Sequence, residues 1–124
     1  MAKGLKIEVL GLKETSRFLK GKGKQAMKLA GDGTEKAGVF IQGEVKESIA
    51  GRKAEPRSVD TGRLLNSVGV KFAGLRSEVF TSLGYAKFLE FGTTKITARK
   101  HFSNSAARNK SEVKKIIQKE VNRI

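Results

Sequence analysis

Few residues in this chain could carry chemistry, and their spacing limits what that chemistry could be. His101 is the single histidine. It has no Asp, Glu or Cys at metal-ligand intervals and no serine-nucleophile signature nearby, so it reads as a structural or surface histidine. Asp60 and Glu90 could be cast as paired acids for hydrolysis, yet neither lies near another acidic residue in the sequence. Each also has a simpler use. Asp60 can accept backbone N–H groups at a turn, and Glu90 can pair with a basic residue. Asp32, between Gly31 and Gly33, lacks the companion ligands of a calcium loop. Lys20-Gly21-Lys22-Gly23-Lys24 has the residue types of a phosphate loop without the G-x-x-x-x-G-K-[ST] spacing, and it reads as a flexible basic surface turn. Tyr85, Phe88 and Phe91 could stack on nucleic-acid bases. With leucine between them at this spacing, packing into the core is the better fit. No catalytic, cofactor or metal site is expected, and the chain is not read as an enzyme.

Charge is the most pronounced feature of the composition. The 26 basic and 12 acidic residues give a net charge of +14, with an isoelectric point near 10.3. Such a balance favours phosphate or other acidic surfaces without sequence preference; lysines that merely solvate helix faces would give the same count. Basic residues run from Lys3 to Arg123 without forming a tail, which points to a folded, positively charged body. The absence of cysteine removes disulfide and thiolate chemistry and suits a reducing cytoplasm. No apolar run approaches the roughly 18 residues of a membrane span. Met1-Ala2-Lys3-Gly4 has no signal-peptide core, so a soluble product without a membrane partner is expected. The length, 124 residues, suits one domain over 1–124.

The elements that would position these residues follow from periodicity. Leu5, Ile7 and Val9 alternate with Lys6 and Glu8, predicting a strand over 5–10 that Gly11 ends. Leu12 to Leu19 reads as a short helix, the glycine–lysine run as a turn, and Gln25 to Ala30 as a second helical piece broken at Gly31-Asp32-Gly33. Thr34 then caps the main core helix, whose Ala37, Phe40, Ile41, Val45, Ser48 and Ile49 share one face. Gly38 and Gly43 inside it cost about 1 kcal/mol each relative to alanine, which suggests close packing against a neighbour, within the chain or across a subunit boundary. Gly51 to Val59 has no periodic pattern and reads as a loop, long for a compact domain. Val68 to Phe72 and Glu78 to Thr81 read as the two arms of an antiparallel hairpin. A short aromatic helix from Tyr85 ends at Gly92. Ile96 to Phe102 reads as basic and extended. Ser103 caps a last helix with an apolar stripe of Val113, Ile116, Ile117, Val121 and Ile124. The fold class predicted is α+β: a small antiparallel sheet packed against a long central helix and a C-terminal helix.

The segments "TGRLLNSV" (61–68) and "YAKFLEFGTT" (85–94), joined by the hairpin and followed by "ARKHF" (98–102), carry a family resemblance. In this order they resemble the tail-completion, or head–tail joining, proteins of long-tailed, lambda-like bacteriophages (gene-product-ten-like). The matching positions are Thr61, Gly62, Leu64, Ser67, Tyr85, Ala86, Glu90, Phe91, Gly92, Thr93 and Phe102. Where the family often has proline before the last aromatic, this chain has His101. The resemblance implies a structural virion protein of the neck, made in the host cytoplasm and assembling as a homo-oligomeric ring. Its partners would be other copies of itself, a head-side connector or adaptor, and a tail terminator or tail tube protein, with non-specific contact to packaged DNA. The residues expected at such contacts are Arg52, Lys53, Arg57, Asp60, Thr61, Gly62, Arg63, Glu90, Gly92 and Thr93. Lys20, Lys22 and Lys24 would face DNA or acidic neighbours. Two other classes stay open: a non-specific nucleic-acid-binding protein using its charge directly, and a toxin or nuclease relative, which the missing acidic metal cluster disfavours.

Overall fold

A computed structural model describes residues 4–10, 12–55, 58 and 62–123, with the side chains of 12–23 outside the description. Its elements are β1 (Leu5–Leu10), α1 (Leu12–Ile49), α2 (Arg63–Ser67), β2 (Gly69–Ala73), β3 (Arg76–Thr81), α3 (Ala86–Phe91), α4 (His101–Arg108) and α5 (Lys110–Val121). The α+β class is as the sequence predicts, with a long helix and a C-terminal helix against an antiparallel sheet.

The sheet has three strands in the order β1-β3-β2, both pairings antiparallel. The hairpin arms are displaced by one to two residues from the predicted ones. Val68 precedes its strand, and β3 begins at Arg76, directly after the turn at Gly74, whose φ of 59° favours glycine. Period-2 alternation decides the faces. Val9, Ser77, Val79 and Thr81 turn inward and are buried. Outward, Glu78 stands between Glu8 and Lys71 in register, and Lys6 Nζ lies 3.5 Å from both Glu8 and Glu78. That lysine relieves two carboxylates that would otherwise face each other across the strands. Phe80 lies on the same outer face opposite Gly69, where its ring comes to 3.0 Å from the place a Cβ would occupy.

Helix α1 departs most from expectation. It runs unbroken for 38 residues, about 57 Å at 1.5 Å per residue. The predicted turn at 20–24, the break at 31–33 and the Thr34 cap are all absorbed into it. Proline would have broken it, but the only proline is Pro56. Each glycine merely weakens it, and tertiary contacts offset that cost. A Cβ on Gly33 would stand 3.0 Å from Ile117 Cα in α5, and one on Gly38 would stand 2.6 Å from Ser77 Cβ in β3. These two glycines let α5 and the sheet approach the helix backbone. Gly43 has nothing within 4 Å, so no close packing is made there within the chain. Thr34, buried in mid-helix, donates its hydroxyl to Ala30 O at 2.8 Å.

The apolar stripe of α1 sits as predicted, with Ala37, Ile41, Val45 and Ile49 buried and Phe40 half-buried. Ile117 and Val121 of α5 are buried against it, with Val113 and Ile116 partly so. Helix α5 runs antiparallel to α1, since Lys36 meets Glu120 at one end and Glu44 meets Asn109 at the other. The predicted last helix is two helices parted at Asn109, whose amide bonds both Glu44 and Ser105 O. It also starts earlier than Ser103. His101 and Phe102 belong to α4 rather than to an extended segment.

Candidate functional site

After α1, Gly51 takes a φ of 85° and the chain turns back on the helix end. Ser58 N–H then returns to Ile49 O at 2.8 Å. This carries Glu55 inward until it is 5% exposed. Arg108 of α4 grips its carboxylate with two guanidinium nitrogens at 2.9 and 3.1 Å, Asn104 donates at 3.0 Å, and Ser48 donates at 2.5 Å. The Arg108 hydrogen bond, with help from Ser48 and Asn104, outweighs desolvation and lowers the Glu55 pKa from 4.5 to about 2.

The network continues through His101, which is 2% exposed. Ser48 Oγ lies 2.8 Å from Nδ1 and Ser58 Oγ 2.7 Å from Nε2. Ser48 has one proton and gives it to Glu55, so the Nδ1–H of His101 donates to Ser48 and Nε2 accepts from Ser58. Arg99 donates to Ser58 at 2.7 Å. Burial pushes the imidazole pKa below its usual value, against the pull of Glu90 and Glu55, and Arg99 adds to the depression. A hydroxyl, an imidazole and a carboxylate in line suggest a hydrolase relay. Here a second serine separates imidazole from carboxylate, and the Ser58 hydroxyl accepts a hydrogen bond from Arg99. The arrangement ties Glu55 and Ser58 to α1 and α4.

Glu90 performs a related task one element away. Its carboxylate accepts the backbone N–H groups of Phe102 and Ser103 at 2.9 and 2.8 Å, together with the Ser103 hydroxyl. An acceptor at a helix N-terminus satisfies orphan donors and complements the dipole. Lys100, at the N-cap with φ 52°, supplies no side-chain cap, and Glu90 stands in for one. The expected ion pair with a basic residue is therefore replaced by helix capping. At 2% exposure, Glu90 is enclosed in the fold rather than presented at the surface.

Capping fixes the rotation of α3. Ala86 and Glu90 turn inward, and the opposite stripe points to solvent. Tyr85 is 40%, Phe88 55% and Phe91 69% exposed, so these aromatics do not fill the core as expected. Gly92 stops α3 as predicted, at φ 80°. A Cβ there would meet Ala98 N at 2.8 Å, which makes glycine obligatory. Thr93 follows at the surface and accepts the N–H groups of Lys95 and Ile96 on its hydroxyl.

Two concave regions face solvent elsewhere. A cleft of about 850 Å³ separates β1 from α4 and α5, with Ile7, Val9, Ile41, Ala106, Val113 and Ile117 among its lining. A hollow of about 470 Å³ gathers Asp32, Glu35, Val39, Phe72, Glu120 and Arg123. Neither includes Ser58 or His101.

The remaining candidate residues are dispersed. Arg52 pairs with Glu47 at 3.0 Å and Lys53 with Glu44 at 3.5 Å. Gly62 precedes α2 at φ 79°, and Arg63 opens that helix at the surface. Lys24 is exposed on α1; Lys20 and Lys22 lie in its helical backbone, their side chains outside the described residues, as are Arg57, Asp60 and Thr61. Sequence reasoning missed the Glu55 network. One signal was present: Glu55 is the only acidic residue in the otherwise basic 51–59 loop. Among the described residues, no three His, Cys, Asp or Glu side chains are placed to hold a metal, and no helix is long and apolar enough to cross a membrane.

The frame is a small antiparallel sheet crossed by one long helix, with its polar network turned inward. The chain belongs to the HK97-gp10-like family, described as "Bacteriophage HK97-gp10, putative tail-component", whose model matches residues 13–92. The match runs from the start of α1 through the hairpin to the glycine that ends α3. No curated protein and no solved structure matches the chain. Family membership makes this a structural phage tail protein that works among other virion proteins.

Proposed function

We propose that this tail protein is a neck subunit whose copies form a ring joining the head-side connector or adaptor to the tail terminator or tail tube. The observation that carries this reading is the family match over α1, the hairpin and α3. The outward aromatic face of α3 and the buried polar network around Glu55 support it: the first suits a protein partner, the second a scaffold. In the ring, the 51–63 region (Arg52, Lys53, Arg57, Asp60, Thr61, Gly62 and Arg63) and the α3 exit at Gly92 and Thr93 contact neighbouring subunits or partner proteins. Glu90 contributes by positioning α3 against α4. Lys20, Lys22 and Lys24 face the DNA channel or acidic neighbours. The particle is assembled in the host cytoplasm and the protein stays in the virion neck.

The test is a phage lacking this gene. Filled heads and finished tails should accumulate apart, and purified protein should join them. Normal joined particles from the deletion would rule the reading out.

A second reading, non-specific nucleic-acid binding, draws on one observation. Among the described residues, Lys110, Lys114, Lys115 and Lys119 are exposed on α5 with no ion pair. Direct binding would give an affinity for duplex DNA of any sequence that falls steeply with salt. Ring assembly that proceeds without DNA would separate the two.

A further inference from the structure

We infer that the cleft between β1 and α4–α5 receives an extended acidic segment of another virion protein, which joins the sheet beside β1 as a fourth strand. This contact presupposes a subunit that works against other virion proteins, as the neck reading has it, and does not require a ring. Strand β1 is an edge, since the sheet order is β1-β3-β2. In an antiparallel pair, alternate residues of each strand turn their N–H and C=O groups away from the partner. On the side of β1 away from β3, those groups have no backbone hydrogen bond among the described residues. An open edge is a template for another chain unless proline, a bulge or a free charge blunts it. Strand β1 has no proline and pairs with β3 residue for residue, without a bulge. Its one lysine, Lys6, is engaged by Glu8 and Glu78.

The space beside this edge suits a half-apolar strand. Its floor is Ile7, Val9, Ile41, Val113 and Ile117, and its volume is about 850 Å³, toward the upper end for ligand clefts. The six residues of β1, at about 3.4 Å each, give that wall a length of about 20 Å. The α4 wall carries the small side chains of Ser103, Ala106 and Ala107, which leave room for a backbone to approach. Leu10, at the end of β1 in the cleft, is 53% exposed and offers the incoming segment a further apolar contact.

Charge sets the sign of the occupant. On the helical rim, Lys110 and Lys114 stand one turn apart on α5, exposed and without an ion pair among the described residues. Glu8, on the opposite rim, is already held by Lys6 at 3.5 Å, so the two lysines are the uncompensated charge of the cleft lining. A second copy brings another +14 and is repelled, whereas an acidic segment is attracted. A segment that alternates apolar and acidic residues meets both surfaces. Its period of two sets one row on the floor, and the long lysine stems reach the carboxylates of the other. In strand addition of this kind, backbone hydrogen bonds supply affinity and the side-chain contacts select the sequence. DNA carries the negative charge but offers neither the apolar row nor the strand backbone.

Two measurements on the full chain test this contact. In the first, labelled peptides of about ten residues, the length of one long strand, are titrated into the protein and followed by anisotropy. One alternates valine and glutamate, one valine and lysine, and a third is the glutamate peptide with every backbone amide methylated. The glutamate peptide should bind, the lysine peptide should bind at least about tenfold more weakly, and methylation should remove binding by removing the strand donors. Lys110→Glu with Lys114→Glu should weaken the glutamate peptide about tenfold or more, and Lys115→Glu with Lys119→Glu, outside the cleft, less than about threefold. All four lysines are exposed, so both variants should melt within a few degrees of the parent. A glutamate peptide that does not bind, or that both lysine pairs weaken equally, would overturn the site. In the second, benzoylphenylalanine replaces Ala107, exposed in the cleft, in the virion, and its photo-crosslinked peptides are sequenced. They should come from another virion protein, in a segment where acidic and apolar residues alternate. Links to this chain or to DNA, or no link at all, would overturn the proposal. Each of these results leaves the neck reading standing, because that reading is decided by whether heads and tails stay apart when the gene is deleted.

Discussion

Glu55 joins the post-α1 loop to α1 and α4, so its ionisation is bound up with folding. In the folded chain its pKa is held at about 2, against 4.5 ordinarily, so the unfolded chain binds the proton more readily. The resulting stability is complete above about pH 4.5 and lost as the pH falls toward 2. The shift corresponds to about 3 kcal/mol. His101 adds to acid sensitivity at a higher pH. Burial keeps the folded imidazole neutral while the unfolded one protonates near pH 6.5, so stability begins to fall below that value. Urea midpoints from pH 8 to 2 should therefore decline in two stages. Glu55→Gln should flatten the lower stage and His101→Asn the upper. A parent midpoint that stays level from pH 7 to 3 would contradict both assignments. Replacing Arg108 by Met leaves the Glu55 carboxylate buried without its main partner and should cost about 3 kcal/mol at pH 7, with Glu55→Gln recovering part of the loss.

At the level of elements, the sequence was readable where periodicity is local. Alternation located β1 and the hairpin, and the stripe from Ala37 to Ile49 located the core face of α1. What it could not supply were contacts between distant parts of the chain. The glycines of α1 look like breaks until Ile117 and Ser77 are seen against them. Tyr85, Phe88 and Phe91 look like core until Glu90, by capping α4, turns the other side of α3 inward. The Glu55–His101 network was illegible because its members, from Ser48 to Arg108, meet only after α1, the loop and α4 have packed. Alanine substitutions test the helix directly. Gly38→Ala and Gly33→Ala should each lower stability by about 1–3 kcal/mol through overpacking. Gly43→Ala, with open space around it, should raise stability by about 0.5–1 kcal/mol. Equal effects at all three positions, measured by thermal melting, would mean that α1 is not gripped by α5 and the sheet. Ile117→Ala, which empties a fully buried site at the α1–α5 contact, should cost about 2–5 kcal/mol.

The molecule as a whole combines a high positive charge with an exposed aromatic stripe on α3, and salt acts on these in opposite directions. Repulsion between copies weakens as ions screen it; between 50 and 200 mM salt the Debye length contracts to about 7 Å. An apolar contact between copies gains from that change, so the oligomeric fraction should rise with salt. Attachment to DNA behaves in reverse, because each phosphate neutralised releases a counterion that added salt makes less favourable to release. If the four unpaired lysines of α5 each meet one phosphate, the logarithmic slope is about −3.6, and fourfold more salt weakens binding about 150-fold. Sedimentation and DNA anisotropy measured on the same salt series should therefore diverge, one signal rising as the other falls. Glutamate at Lys115 and Lys119, which lie outside the cleft, should weaken the DNA signal and shift assembly to lower salt. Should assembly instead weaken with salt alongside DNA binding, then charge rather than the aromatic face holds copies together, and the subunits meet through their ion pairs.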